Sequence, residues 1–373
     1  MPDDKLKNII QQILAHADIK INDGRPFDIQ VHNDDFYGRV LSQGSFGLGE
    51  AYMDGWWDVE RLDKFFVRVF QADLEREIRH NWRTLLFSLG QILINRQKKS
   101  KAFEIGERHY DIGNDLYQAM LDKRMVYSCG YWKNTKNLDE AQELKLELVC
   151  NKLGLKEGMK VLDIGCGWGS FAKYAAEKYG VSVVGITVSK EQVELGKKLS
   201  AGLPIKIKLQ DYRDVEGIYD HIVSLGMFEH VGYKNYRLYM EVVHRHLRDN
   251  GLFLLHTIGE NRSEKINDPW VEKYIFPNSM LPSIKQIGSA IMRLFVMEDW
   301  HSFGADYDKT LMAWFHNFDR NWETLKLHYS ERFYRMWKYF LLASAGVFRA
   351  RRNQLWQIVL SKKGVLGGYR SIR

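Results

Sequence analysis

Cysteine is scarce: three in 373 residues, at Cys129, Cys150 and Cys166. They are too widely spaced for a disulfide framework or a C-x-x-C metal pair, which excludes a small stapled secreted domain and suits a reducing cytoplasm. Proline is sparse as well, at six. Long apolar runs are missing. The longest, Leu85 to Ile94, is broken by Ser88, Gly90 and Gln91, so nothing in it can span a bilayer. No signal peptide is expected ahead of Lys5-Leu6-Lys7. Acidic residues are missing where basic ones gather. Arg332 to Arg373 holds ten Lys or Arg and no Asp or Glu, and Arg76 to Lys101 holds seven against one acid. An excess of +7 distributed in this way points to nucleic acid, to an anionic membrane surface, or only to a solvated basic face.

What is present is apolar enough for a large core, with 45% hydrophobic residues and an abundance of Phe, Tyr and Trp. The length suits two or three domains. Residues 1–75 read as a small mixed α/β domain. Leu6, Ile9, Ile10, Ile13 and Leu14 have helical spacing, and Phe27-Asp28-Ile29-Gln30-Val31-His32 alternates like a strand. Gly44, Gly47 and Gly49 predict loops or close packing, and the Trp56-Trp57 pair predicts core before it predicts a lipid-facing patch. Residues 76–101 read as a basic helical linker, and residues 102–373 as a second domain. Strand-like segments recur there at Val161–Ile164, Val181–Ile186, Ile205–Leu209, His221–Leu225, Leu252–Thr257 and Leu355–Leu360. Helical runs, among them Leu138–Leu153, Ser189–Leu199 and Tyr233–Leu247, lie between them. Such alternation predicts an α/β fold with a doubly wound, mostly parallel sheet. The aromatic-rich stretch 258–308 reads as an insertion covering the site.

The segment that organises this domain is Val161-Leu162-Asp163-Ile164-Gly165-Cys166-Gly167-Trp168-Gly169. A buried strand ends in an acidic residue, and alternating glycines then open onto a helix start with its free N–H groups. The spacing is G-x-G-x-G and not the dinucleotide G-x-G-x-x-G, which favours a nucleoside without pyrophosphate. Asp163 can hold an ammonium group or hydroxyls. After the second strand, Thr187 or Gln192 must serve the ribose, since no acid stands there. After the third, Asp211 can accept from an adenine amino group beside the ring of Tyr212. Together these strand ends predict a pocket for S-adenosylmethionine.

Over nearly its whole length the chain resembles the bacterial cyclopropane-fatty-acyl-phospholipid synthases. The resemblance rests on Gly47-Leu48-Gly49-Glu50-Ala51-Tyr52-Met53-Asp54-Gly55-Trp56-Trp57, on His109-Tyr110-Asp111-Ile112-Gly113-Asn114-Asp115, and on Tyr127-Ser128-Cys129-Gly130-Tyr131-Trp132. It continues through Val161–Gly169, Gly226-Met227-Phe228-Glu229-His230-Val231-Gly232, Leu254-Leu255-His256-Thr257-Ile258-Gly259 and Phe303-Gly304-Ala305-Asp306-Tyr307-Asp308. It implies a Rossmann-like methyltransferase sheet with a small N-terminal lipid-binding domain, and methylene transfer from S-adenosylmethionine to the cis double bond of a phospholipid acyl chain. Gly165, Gly167, Asp163, Gln192 and Asp211 would fix the donor, with Tyr127 and Ser128 covering it. A bound bicarbonate would act as base, held by the backbone N–H groups of Cys129 and Ile258 and by the side chains of Glu229, His256 and Tyr307. Tyr307 and Phe303 are the candidates for facing a carbocation. A phospholipid bilayer is then the expected partner, at the inner face of the cytoplasmic membrane, and the family implies a homodimer. A methyltransferase of another lipid or a small amine, and a non-catalytic lipid-binding protein on the same fold, are the competing expectations.

Overall fold

The computed structural model describes residues 2–74, 113–264 and 266–373. The expected basic linker 76–101, the boundary at 102 and the His109–Ile112 part of one motif lie outside the described residues.

Two compact units partition the chain, and neither is contiguous. The sheet-bearing unit takes in residues 95–265, 278–307 and 354–373. Its strands are β3 (Lys160–Ile164), β4 (Ser182–Thr187), β5 (Ile205–Leu209), β6 (His221–Leu225), β7 (Leu252–Glu260), β8 (Val296–Ser302) and β9 (Asn353–Ser361), in the order β5-β4-β3-β6-β7-β9-β8. β3 pairs in parallel with both β4 and β6, and β6 in parallel with β7, while β8 runs antiparallel to β9. Alternation sorts the side chains into two cores. Leu162, Ile222, Phe253 and Ile358 enter one, and Val161, Val223, Leu254 and Val359 enter the other. The second core also takes Leu146, Val149 and Leu153 from the helix Leu138–Leu153. The same period of two therefore puts Asp163, His256 and Gln357 on the face that this helix covers.

The six strands expected in residues 102–373 are all present, while the one expected at Phe27–His32 is reduced to Gln30–Val31. β8 was not among them, because 258–308 read only as a covering insertion. Its buried positions are Asp299 and His301 while Val296 and Met297 are exposed, so its polarity is inverted relative to an ordinary strand. The burial is tolerated because Asp299 takes hydrogen bonds from Arg373 and Ser371, and the Lys152 ammonium lies 3.5 Å away.

The other unit comprises residues 1–94, 266–277 and 308–353, so two segments from the expected second domain belong with the N-terminal residues. It holds the short antiparallel pair β1 (Gln30–Val31) and β2 (Trp57–Asp58). The helix Glu331–Arg349 packs on Leu62–Gln71, and a Cβ at Gly346 would lie 2.6 Å from that of Phe66. Gly47 and Gly49 sit inside the helix Asp35–Met53, which bends at Gly44 with φ 58°. They serve close packing: a Cβ at Gly49 would lie 2.5 Å from the Trp270 ring. Trp57 is core, fully buried. Glu50 is buried and takes hydrogen bonds from Arg39, Lys273 and Arg332.

The acid-free tail does not stay unbalanced after folding. Arg332, Arg335, Arg349 and Arg352 pair with carboxylates of the same unit, and Lys362, Lys363 and Arg373 do so in the sheet-bearing unit.

Candidate active site

β3 delivers Asp163 to the carboxyl end of the sheet, between Gly185 of β4 and Val223 of β6. The side chain is 1% exposed, and its Oδ1 has no hydrogen-bond partner among the described residues. Burial pushes its acid up to about 7, against the pull of the Lys145 charge. The chain then turns through Gly165 (φ 82°), Gly167 (φ 55°) and Gly169 (φ 82°), which any L side chain would strain. A Cβ at Gly165 would meet the Cβ of Met227 at 2.5 Å, whereas one at Gly167 would meet nothing within 4 Å. Gly165 thus serves packing, and Gly167 leaves open space beside the helix start at Ser170.

At the end of β4, Thr187 donates to the Gln192 Oε1 at 2.7 Å, and both are buried. Asp211, buried after β5, accepts from the backbone and the guanidinium of Arg213. Tyr212 does not stand open beside it. Its ring is 4% exposed and lies edge-on to Tyr239 at 5.1 Å within the core.

The segment Tyr127-Ser128-Cys129 comes to the same strand ends, since a Cβ on Gly226 after β6 would lie 3.8 Å from the Ser128 Cβ. Tyr127 packs edge-on to Tyr117, which in turn contacts Trp168 of the glycine turn at 5.0 Å. Cys129 is fully buried. From the helix Leu138–Leu153, Gln142 donates to the Ser128 carbonyl and Lys145 to the Ser128 Oγ, each at 2.7 Å.

Glu229 stands on the 3-10 turn Phe228–His230 after β6, and His256 on β7, opposite Leu225. Glu229 is 6% exposed, and burial raises its acid to about 7 despite a backbone hydrogen bond that lowers it. That bond is the Ile258 N–H, 2.6 Å from Oε1. The Ile258 amide was expected to donate to an external anion. In this structure it donates to Glu229. Glu229 Oε2 and His256 Nε2 are both buried and without partners among the described residues. Burial holds His256 neutral, its pKa well below the usual range. Its Nδ1 lies 3.3 Å from the Gln357 amide nitrogen, and with that amide donating, the neutral ring carries its proton on Nε2. Phe303 and Tyr307 are also buried, Phe303 edge-on to His256 and Tyr131.

Lys145, Gln142 and Gln357 are absent from the sequence-based set. A lysine or glutamine in a helix reads as solvated, and only burial shows otherwise. The strand-end alternation gives one faint signal for Gln357, a polar residue inside an apolar run.

A mostly parallel seven-stranded sheet, with a glycine turn and a buried carboxylate at its carboxyl edge, is a Rossmann-like nucleotide-binding arrangement, and comparison with known proteins makes it that of a methyltransferase with S-adenosylmethionine as donor. Residues 97–358 match the family described as mycolic acid cyclopropane synthetase. The chain belongs to that family of cyclopropane synthases and is an enzyme. It is similar to the cyclopropane-fatty-acyl-phospholipid synthase of Escherichia coli K12, with 53% identity over 100% of this chain and 97% of that protein. Sphingolipid C9-methyltransferase A of Emericella nidulans is 35% identical over 91% of this chain and 70% of its own. Among solved structures, a mycolic acid cyclopropane synthase complexed with SAH and CTAB is 32% identical, with a TM-score of 0.66 over 70% of this chain and 98% of that one.

Proposed function

We propose that this enzyme transfers a methylene group from S-adenosylmethionine to the cis double bond of unsaturated phospholipid acyl chains and closes a cyclopropane ring. The observation that carries the proposal is end-to-end similarity to the Escherichia coli cyclopropane-fatty-acyl-phospholipid synthase, and it is supported by Asp163, Thr187, Asp211, Glu229 and His256 lying on or just after strands of the sheet.

The donor supplies an electrophilic methyl group on a sulfonium. The unsatisfied Oδ1 of Asp163, the open space at Gly167, and the Thr187–Gln192 and Asp211 groups fit its polar ends, and Tyr127 and Ser128 fit a cover. An alkene is a weak nucleophile, so these residues must hold the methyl within about 3–3.5 Å of it. The carbocation formed on the acyl chain has to be kept from water, a task suited to the buried Phe303 and Tyr307. Ring closure then requires removal of a proton from the added methyl. Bicarbonate, when bound, supplies that base. Glu229 Oε2 can accept its O–H, the Nε2–H of His256 can donate to its oxygens, and the Cys129 N–H and Tyr307 complete the set. Ile258 acts in this scheme through Glu229.

The N-terminal residues are assigned to lipid delivery, with docking at the inner face of the membrane and a homodimer as the working assembly. The similarity to a sphingolipid C9-methyltransferase supports one rival, addition of a plain methyl branch. Mass spectrometry of unsaturated phospholipid vesicles incubated with enzyme and S-adenosylmethionine separates the two. An added CH2 with the double bond lost to olefin-specific cleavage is expected. A surviving double bond supports the methyl branch, and modification of a soluble amine alone refutes both.

A further inference from the structure

Lys145 is the least accountable side chain in the sheet-bearing unit. It is fully buried, and burial pulls its ammonium down to about 8 although Asp122, Cys129 and Asp163 favour the charge. A helix that needed only to pack would do as well with an apolar residue there, since a buried cation brings a desolvation cost that pairing rarely exceeds. Its Nζ makes one specific contact, 2.7 Å to the Ser128 Oγ. Three residues earlier on the same helix face, Gln142 holds the Ser128 carbonyl at 2.7 Å and reaches the Val126 carbonyl at 3.4 Å. The pair grips the segment that carries Tyr127, Ser128 and Cys129. An ammonium can only donate, so the Ser128 oxygen accepts and its own proton is left for another acceptor. The charged or titratable groups that face Lys145 are Asp122 and Cys129 from the loops after Met120 and Val126, Asp163 from β3 and His256 from β7.

We propose that Lys145 is a positioning residue for the methyl donor: it fixes the Ser128 hydroxyl with its proton presented to the ligand. The inference rests on the assignment of this site to S-adenosylmethionine. It makes the helix Leu138–Leu153 part of the donor site although its site-facing residues are second to the ligand. It also gives donor binding a dependence on pH. Loss of the Lys145 proton, which burial makes easier, weakens its hold on the Ser128 oxygen, so donor affinity falls on the alkaline side.

The test is calorimetric titration of the full-length protein and its Lys145→Met variant with S-adenosylmethionine and S-adenosylhomocysteine, from pH about 6 to about 9. Met fills the volume without charge or donor. The expected result is affinity weaker by about 10- to 100-fold at neutral pH, the scale of losing a hydrogen bond to a charged group, with the alkaline fall abolished. Turnover at saturating donor should fall less than the donor KM rises. A folded variant with wild-type affinity and a wild-type pH profile overturns the inference and leaves the donor assignment standing. A wild-type protein that binds neither compound overturns both. Should that variant fail to fold, Ser128→Ala, which removes the hydroxyl that Lys145 holds, decides: wild-type donor affinity in a folded Ser128→Ala protein overturns the proposal.

Discussion

Glu229 is held at 6% exposure with one oxygen on the Ile258 amide and the other unsatisfied, an arrangement that costs stability once the acid ionises. Its folded pKa, near 7, lies above the ordinary glutamate value of 4.5. The protonated form is therefore favoured in the fold, and its stabilising effect is complete below pH 4.5 and lost as pH rises through 7. Glu229→Gln keeps an acceptor for Ile258 and removes the charge. Thermal unfolding should show the variant more stable than wild type at pH about 8, by an amount on the order of 3 kcal/mol, and no more stable near pH 4. Turnover should fall by about 10²–10⁴-fold, the scale of losing a positioned acid–base group, with donor affinity little changed. Wild-type turnover, or unaltered dependence on bicarbonate, would remove Glu229 from the mechanism. This residue was legible in sequence because it stands beside its own motif at a strand end. Lys145 and Gln357 were not: nothing in the pattern around a lysine flanked by Leu144 and Leu146 says that its charge is buried, and Gln357 acts through the ring of His256 on another strand.

At the level of elements, the glycine turn after β3 divides its labour. Gly165→Ala drives a methyl into Met227 at a positive φ, and unfolding in denaturant should show a loss of roughly 2–4 kcal/mol. Gly167→Ala has room for its methyl and should cost only about 1–2 kcal/mol, for the backbone alone. Donor affinity should nevertheless fall in Gly167→Ala, because the added carbon occupies the open space assigned to the ligand. Undiminished affinity in a folded Gly167→Ala protein would place the donor elsewhere. The central strands β3 and β6 were readable because both their faces are apolar, and β5 because Ile and Lys alternate along it. β8 escaped because Asp299 and His301 take its inward positions, and a period of two in charged residues does not register as a strand. The glycines of the helix Asp35–Met53 were ambiguous for a related reason: a residue chosen to admit a tryptophan ring looks like one chosen to turn.

For the whole molecule, the tally of charge along the chain did not show how that charge is paired. Seven basic residues between Arg332 and Arg373 are matched by acids that lie far away in sequence, and the excess of 76–101 has only Glu77 within it. Co-sedimentation with anionic vesicles should weaken as salt shortens the reach of exposed charges below about 8 Å. Replacing Lys98, Lys99 and Lys101 by Gln should weaken it further, and replacing Lys362 and Lys363 should not. Equal effects from both sets would return the tail to the membrane. The sheet order carries a consequence for how the enzyme is made. β9 lies between β7 and β8, yet residues 261–352 separate it from β7 in the chain. As synthesis proceeds, the edge of β7 that faces away from β6 stays unpaired until β9, the strand destined to cover it, has left the ribosome. A β7 edge that waits so long is open to pairing with another nascent chain, so growth at low translation rates is where this protein most needs a chaperone.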